Sequence, residues 1–303
     1  MRLQEKVQKY LEYCEFRKEL DRNTLKAYRI DLRQYFKYIG KNDMSKEKIE
    51  EYITDLHKQY KQKTVKRKIA SVRAFYIYLE ETEVIKESPI RRIRTKFKEE
   101  RILPRIIPRK EIENLLNTMY RELKKEKKEK RYILRDIAVV ELFFATGARV
   151  YELANIKQEN IDLESGTIRF MGKGGKERLI QIGEKSVCNL LKEYYEKNRM
   201  AIQVCGYFFV NQRGKRFTEQ SIRIMLKKYT KCAGIDRNIT PHMFRHSFAT
   251  YLIEEGVDIS CVQQILGHSS IKTTQIYIHV AAKKQADILK ELHPRKKMHI
   301  NAA

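Results

Sequence analysis

The chain has 303 residues and carries 64 Lys plus Arg against 39 Asp plus Glu, a formal net charge of +25. This length suffices for one large or two medium domains, and this charge favours a polyanionic partner over a merely soluble basic protein, because each neutralised phosphate releases counterions. No apolar run approaches the roughly 20 residues that span a bilayer, and the N-terminus predicts an amphipathic helix instead of a signal peptide, so we expect a cytoplasmic protein with no membrane partner.

The five cysteines are widely spaced and form no C-x-x-C pair, so neither a disulfide framework nor a zinc site is predicted. We expect them to be small core residues. They are Cys14, Cys188, Cys205, Cys232 and Cys261.

Residues 1–95 are predicted to form a domain of four helices, because apolar residues recur there at helical spacing. The four sets are Leu3, Val7, Tyr10, Leu11 and Cys14; Leu25, Tyr28, Leu32, Tyr35, Phe36 and Ile39; Ile49, Tyr52, Ile53, Leu56 and Tyr60; and Val65, Ile69, Val72, Phe75 and Leu79. Asn23 and Ser45 stand where helix N-caps are expected.

The last of these helices carries a cluster of basic residues that is predicted to follow a DNA backbone. A plain solvated face is the alternative for any single member. The cluster consists of Lys61, Lys63, Lys66, Arg67, Lys68 and Arg73.

Residues 96–108 are predicted to be a linker, since Pro104 and Pro108 interrupt any helix there. The second domain is therefore placed at 109–303. Near its start the run KKEKKEKR suggests a nucleic-acid patch, but its alternating signs favour an exposed helix or loop.

Arg149 follows an apolar helix that ends at Thr146, and Gly147 permits a tight turn between them. An arginine at such a junction needs anionic partners if it is buried. Glu152, one helical turn later, is a candidate carboxylate for holding a neighbouring group in place.

The stretch TIRFMGKGGKERLIQIG alternates polar and apolar residues around a glycine-rich turn, which predicts a β-hairpin. Lys173 and Lys176 lie in this turn, where an ammonium group could reach a DNA groove. The P-loop pattern that would make this a nucleotide site is absent.

A helix is predicted from Pro241, with Thr240 as its N-cap and Gly256 just past its end. His242 and Arg245 lie three residues apart on one face near its N-terminus. Amide donors and the helix dipole favour a bound phosphate at this end.

His246 follows His242 by four residues, a spacing that also suits two metal ligands. A zincin motif requires Glu after the first histidine, where this chain has Met243, and no clear third ligand is present. No metal site is predicted.

Gly267 is predicted to end a helix in a left-handed cap that turns the chain at His268. Tyr277 follows nine residues later. On its own it would be an ordinary core or surface residue, one of 18 tyrosines, and it gains interest from these neighbours.

The segments GARVYEL, MGKGGKERL, HMFRHSFAT and LGHSSIKTTQIYIHV resemble the successive catalytic motifs of the tyrosine recombinase (phage-integrase-like) family, in the same order. The helical region before them resembles the family's core-DNA-binding domain, and the overall length is most similar to the Xer and transposon-encoded branch. The resemblance implies a mainly α fold with a small β-sheet, arranged as a two-domain DNA clamp.

The resemblance also implies roles. Arg149 and Arg245 would clamp the scissile phosphate, Tyr277 would attack it, and Lys173 would protonate the leaving 5′ oxygen. His242 would assist proton transfer and His268 would donate a hydrogen bond to the phosphate. Because such cleavage is a transesterification, neither metal, cofactor nor ATP is expected.

The partners implied are double-stranded DNA with paired inverted half-sites and a homotetramer on two duplexes, alone or with a second recombinase. The segment after Tyr277 is predicted to form a tail helix that docks on a neighbouring protomer, or else packs on its own domain. Two other functions stay open at this point: a type IB-like topoisomerase, and an inactive DNA-binding accessory protein.

Overall fold

The computed structural model describes residues 3–40, 45–91, 93, 105–126, 130–172 and 177–267. The chain divides into two compact units, Met1–Arg101 and Ile102–Ala303. The described residues are mainly α-helical and include one small antiparallel sheet. This fold class is the one that the sequence predicted. Among the described residues, no helix is both long and apolar enough to cross a membrane.

The first unit contains the four predicted helices. They are α1 (Leu3–Phe16), α2 (Arg22–Ile39), α3 (Lys46–Gln59) and α4 (Gln62–Glu81). Their apolar stripes meet in a core in which Tyr10, Tyr35 and Tyr76 are almost completely buried. The hydroxyls of Tyr35 and Tyr76 lie 2.7 Å apart and satisfy each other inside this core.

One of the two predicted N-caps in this unit is confirmed. The Ser45 hydroxyl accepts the Lys48 N–H at 3.3 Å and caps α3. The prediction for α2 is wrong: its N-cap is Asp21, whose carboxylate accepts the N–H groups of Asn23 and Thr24, both at 3.0 Å. An aspartate two residues earlier satisfies these amide donors, so Asn23 lies inside the first turn.

Most residues of α6, the central helix of the second unit, are buried. The helices are α5 (Arg109–Lys125), α6 (Lys130–Thr146), α7 (Val150–Ala154), α8 (Lys185–Cys205), α9 (Glu219–Cys232), α10 (Pro241–Glu254) and α11 (Ile259–Leu266), with a 3-10 turn at Gln158–Asn160. The apolar run in α6 explains its central place, because a helix that is hydrophobic all round must be covered by neighbours.

The predicted hairpin is the larger part of a three-stranded sheet. Its strands are β1 (Ile161–Asp162), β2 (Thr167–Met171) and β3 (Glu177–Gln181), in the order β1-β2-β3 and all antiparallel. Alternation puts Ile168, Phe170 and Ile180 in the core, whereas Met171 and Leu179 face outward.

The cysteines are only partly core residues. Cys14 is buried, but Cys232 and Cys261 are exposed on α9 and α11. That prediction is therefore wrong for these two, because small residues also fit on the polar face of a helix.

Candidate active site

The turn between α6 and α7 has no room for a side chain at Gly147. Its φ of +59° lies in the left-handed region, which a side chain disfavours. A Cβ at this position would also come within 2.5 Å of Phe248 Cδ1 and 2.8 Å of Leu266 Cδ2. Both α10 and α11 are therefore packed directly against the turn that leads into Arg149.

Arg149 is the N-cap residue of α7 and bonds to two segments of the chain. Its backbone N–H donates to Glu152 Oε2 at 2.6 Å, and its Nη1 donates to Glu152 Oε1 at 2.8 Å. Its Nη2 donates to the Gly267 carbonyl at 3.3 Å. The Arg149 side chain is nevertheless 37% exposed, so the guanidinium can still meet a ligand from solvent.

Glu152 is the carboxylate at the centre of this site. Its side chain is only 2% exposed, and besides Arg149 it accepts two bonds from Arg178, at 2.6 and 2.7 Å. Burial alone would raise the pKa of Glu152, but the hydrogen bonds and charge of Arg178, together with the hydrogen bonds of Arg149, outweigh it and lower that pKa below its ordinary value.

Arg178 is a residue that the sequence analysis missed. A signal was present: in β3 the alternation puts position 178 on the same face as Ile180, which lies in the core. An arginine on the inner face of a strand requires an anionic partner. Glu152, 26 residues away in sequence, is that partner.

Arg245 is buried, with 5% of its surface exposed. Its Nη1 donates to the Gly147 carbonyl at 2.8 Å and its Nη2 to the Leu266 carbonyl at 2.7 Å. Arg149 bonds to the next carbonyl, that of Gly267. The two arginines, 96 positions apart in sequence, are thus brought together at the C-terminal end of α11, where the helix dipole favours cations.

Gly267 ends α11 in the predicted left-handed conformation, with φ 63° and ψ 49°. The described part of the chain stops at this residue. Four residues singled out in the sequence lie outside the described ranges: Lys173, Lys176, His268 and Tyr277. The tail segment after Tyr277 also lies outside them.

Two histidines lie near Arg245 on α10. His242 is exposed in the first turn, after Pro241 at the first helical position, and His246 is half-buried. Burial, followed by the nearby charges of His242 and Arg245, lowers the pKa of His246. Within the described ranges, no three His, Cys, Asp or Glu side chains are grouped closely enough to hold a metal ion.

The basic cluster predicted on α4 divides by exposure. Lys61, Lys63 and Arg67 are exposed, and Lys66 and Arg73 are half-buried.

Lys68 does not fit the predicted DNA-facing cluster, because it is 3% exposed. Its Nζ donates to Asp31 Oδ1 at 3.2 Å and also bonds to Gln34. Asp31 is completely buried, so it needs cations close by. Arg67 also bonds to Asp31, yet its side chain stays 45% exposed.

Two family models match the chain. Residues 105–284 match the phage integrase family, and residues 7–83 match the N-terminal SAM-like domain of phage integrases. Both matches fall in the order expected from the sequence motifs, with the SAM-like match over the four-helix unit and the longer match over the candidate site.

Similar proteins are known along the full length of the chain. A tyrosine recombinase of Agathobacter rectalis is 49% identical, over 98% of this chain and 99% of that protein. Tyrosine recombinase XerD of Listeria monocytogenes is 35% identical, over 95% and 98%. The crystal structure of the XerH site-specific recombinase bound to a palindromic difH substrate has the same fold, with a TM-score of 0.75 and 23% identity over 94% of this chain and 84% of that one. The chain therefore belongs to the phage integrase family, as a tyrosine site-specific recombinase.

Proposed function

We propose that Tyr277 is the nucleophile of this recombinase. Its phenolic oxygen attacks the scissile phosphorus, so a tyrosyl oxygen–phosphorus bond forms while the bond to the 5′ oxygen breaks. The product is a 3′-phosphotyrosyl link and a free 5′-hydroxyl. Because the link conserves the bond energy, a second 5′-hydroxyl can reverse the step without ATP or a metal, which gives strand exchange through a Holliday junction.

The observation that carries this proposal is the convergence of Arg149 and Arg245. Their guanidinium groups bond to the consecutive carbonyls of Gly267 and Leu266, immediately before His268 in the chain. Two planar cations at one point suit the two non-bridging oxygens of a phosphodiester, whose negative charge grows during attack. We assign these two arginines to the phosphate clamp.

The remaining groups would move protons. Lys173 protonates the leaving 5′ oxygen, His242 assists proton transfer, and His268 donates a hydrogen bond to the phosphate. The exposure of His242 at the N-terminal turn of α10 supports its assignment, since a DNA phosphate can reach this side chain. Glu152 supports the clamp by bonding to Arg149.

The substrate we propose is double-stranded DNA with paired inverted half-sites, bound by a homotetramer on two duplexes, alone or with a second recombinase. Of the basic cluster on α4, we retain Lys61, Lys63, Lys66, Arg67 and Arg73 as phosphate contacts and leave out the buried Lys68. We propose further that the tail helix links neighbouring protomers. Deletion of residues 281–303 with unchanged synapsis and activity would contradict that role.

The test of the nucleophile is a covalent-trapping experiment. The full chain is incubated in EDTA with a library of nicked duplexes, the protein–DNA adducts are isolated and the attached DNA is sequenced. Tyr277→Phe, which removes only the attacking oxygen, is run in parallel with Tyr151→Phe, a matched change at an exposed tyrosine on α7.

We expect an EDTA-resistant adduct from the wild type and from Tyr151→Phe, and none from Tyr277→Phe. Inverted repeats in the trapped DNA would agree with paired half-sites. Adducts that persist in Tyr277→Phe would reject Tyr277, and DNA binding by the wild type without any adduct would reject the proposed chemistry for the chain acting alone.

A further inference from the structure

Arg178 is held in one orientation by two kinds of contact. Its two terminal nitrogens donate to the two oxygens of Glu152 at 2.6 and 2.7 Å, the paired geometry that is strongest for arginine and carboxylate. The guanidinium lies 4.8 Å from the ring centre of Phe170 on the neighbouring strand. Its side chain is 11% exposed, so it has little contact with solvent.

The Glu152 carboxylate is shared between Arg178 and Arg149. It accepts four hydrogen bonds, two from the Arg178 guanidinium, one from the Arg149 guanidinium and one from the Arg149 backbone N–H. Without Arg178, Glu152 and Arg149 would form an ion pair with no net charge. With it, the three side chains carry one net positive charge, at the position where Arg149 is exposed.

Arg178 also packs against the end of α11. A Cβ at Gly267 would lie 3.0 Å from Arg178 Cδ, so the aliphatic part of Arg178 lies where a side chain of residue 267 would begin. The Gly267 carbonyl in turn accepts a bond from Arg149. Arg178 therefore contacts Glu152 and packs against Gly267, two described residues to which the Arg149 side chain bonds. It does so from a strand that begins just after the predicted Lys173 turn.

From these contacts we propose that Arg178 is a positioning residue for DNA cleavage. It offsets the charge of Glu152, so that Glu152 can orient Arg149 without cancelling the positive charge that Arg149 offers to the scissile phosphate. It does not touch the phosphate itself. This inference rests on the proposed function of Arg149.

A purely structural ion pair makes a different prediction for the same mutations. If the ion pair only joined β3 to α7, its loss would change the free energy of unfolding, but a variant that still folds would cleave DNA at the normal rate. If Arg178 instead offsets the charge of Glu152, Arg178→Gln slows cleavage because the negative charge of Glu152 is no longer compensated. Removing the Glu152 charge as well should therefore restore part of the cleavage rate.

The first measurement is single-turnover cleavage of a nicked duplex recovered from the trapping experiment, at saturating protein and well below each variant's melting temperature. We expect Arg178→Gln to slow cleavage by about 10- to 100-fold with unchanged affinity for the DNA. Arg178→Lys, which keeps the charge, should be closer to the wild type. Glu152→Gln combined with Arg178→Gln should cleave faster than Arg178→Gln alone.

The control is Arg223→Gln, which removes an exposed arginine on α9 that pairs only with Glu219 among the ion pairs of the described residues. It should cleave normally. Normal cleavage by Arg178→Gln, or a double variant that is as slow as Arg178→Gln, would overturn the inference.

The second measurement does not require activity. The pKa of Glu152 is held below its ordinary value, so its stabilising contribution is present above the unfolded pKa and is lost as pH falls through the folded pKa. In Arg178→Gln, the free energy of unfolding should therefore fall less on acidification than it does in the wild type. An unchanged acid profile would overturn the inference. If the wild type forms no adduct, the proposed function fails, while this titration still decides whether Arg178 controls the charge of Glu152.

Discussion

Gly147 is the residue on which the packing around both arginines depends most directly. Its carbonyl accepts the Arg245 guanidinium at 2.8 Å, and the space where a side chain would stand is filled by Phe248 and Leu266. Because Leu266 also supplies a carbonyl to Arg245, a shift of Leu266 displaces an acceptor that holds this arginine. Glycine at this position is thus a requirement of the site as well as of the turn.

We expect Gly147→Ala to destabilise the protein by about 2–5 kcal/mol, as the sum of left-handed backbone strain and overpacking. Cleavage should fall further than stability alone explains, because Arg245 loses its fixed acceptors. Urea denaturation gives the first quantity, and single-turnover cleavage of trapped DNA gives the second.

Gly214→Ala is the matched control. Gly214 also has a positive φ, of +66°, but nothing lies within 4 Å of its missing Cβ. This change should cost only the backbone strain, about 1 kcal/mol, and should leave cleavage intact. Equal losses in the two variants would show that the close contacts at Gly147 carry no energy.

Single residues also show how far the sequence could predict the site. Arg149, His242 and Arg245 can be singled out from the sequence because local motifs carry them, and their roles in cleavage stay predictions. Lys68 was misjudged because its partner Asp31 is 37 positions away, and a helical repeat does not show which basic side chain turns inward. Alternation in β3 does place Arg178 on the inner face, but its partner Glu152 lies 26 positions away in a helix, so their pairing has no local signal.

At the scale of elements, the predictions from the sequence agree better with the structure, because short stretches of neighbouring residues determine where helices and hairpins form. The stripes of α1 to α4, the Ser45 cap, the alternation in β2 and β3 and the Gly267 cap are each set within a few residues. The position of α11 beneath Arg149 and Arg245 has no such local cause. It depends on packing between α10 and α11.

The contact between α10 and α11 is a small hydrophobic cluster separate from the main core. Its buried members are Ala249, Ile253, Val262 and Leu266. A short helix held by so few apolar side chains should be among the less stable parts of the unit, although its last carbonyls hold both arginines.

We expect Val262→Ala to weaken this cluster by about 2 kcal/mol, from lost burial and the cavity left behind. Amide hydrogen exchange should become faster in α11 while it stays unchanged in α6 and α8, and cleavage should slow. Cys261→Ala, at an exposed position on the same helix, is the control and should change neither. Uniform acceleration of exchange throughout the second unit would contradict a separate α10–α11 cluster.

At the scale of the whole molecule, the net charge is +25, and the first unit shows where some of the charged side chains lie. In the first unit, Lys63 and Arg67 are exposed on α4 and Lys61 is exposed at its N-cap, whereas α3 presents an acidic group that lines a surface depression. This group consists of Glu47, Glu50, Glu51 and Asp55. Lys58 lines the same depression, but carboxylates outnumber it there, so a polyanion is expected to approach the basic residues of α4 more readily.

The dependence of DNA affinity on salt tests this division of charge. If Lys63 neutralises one phosphate, Lys63→Gln should reduce the slope of log K against log salt by about 1, for specific and nonspecific duplexes alike. Lys46→Gln is the matched control, because Lys46 lies on α3, 3.6 Å from Glu50, where the acidic group keeps phosphates away. Binding is measured by fluorescence anisotropy between about 50 and 200 mM salt, the range over which such contacts have their largest effect. Equal slope changes in the two variants would mean that affinity follows total charge, and the α4 cluster would then have no special part in holding DNA.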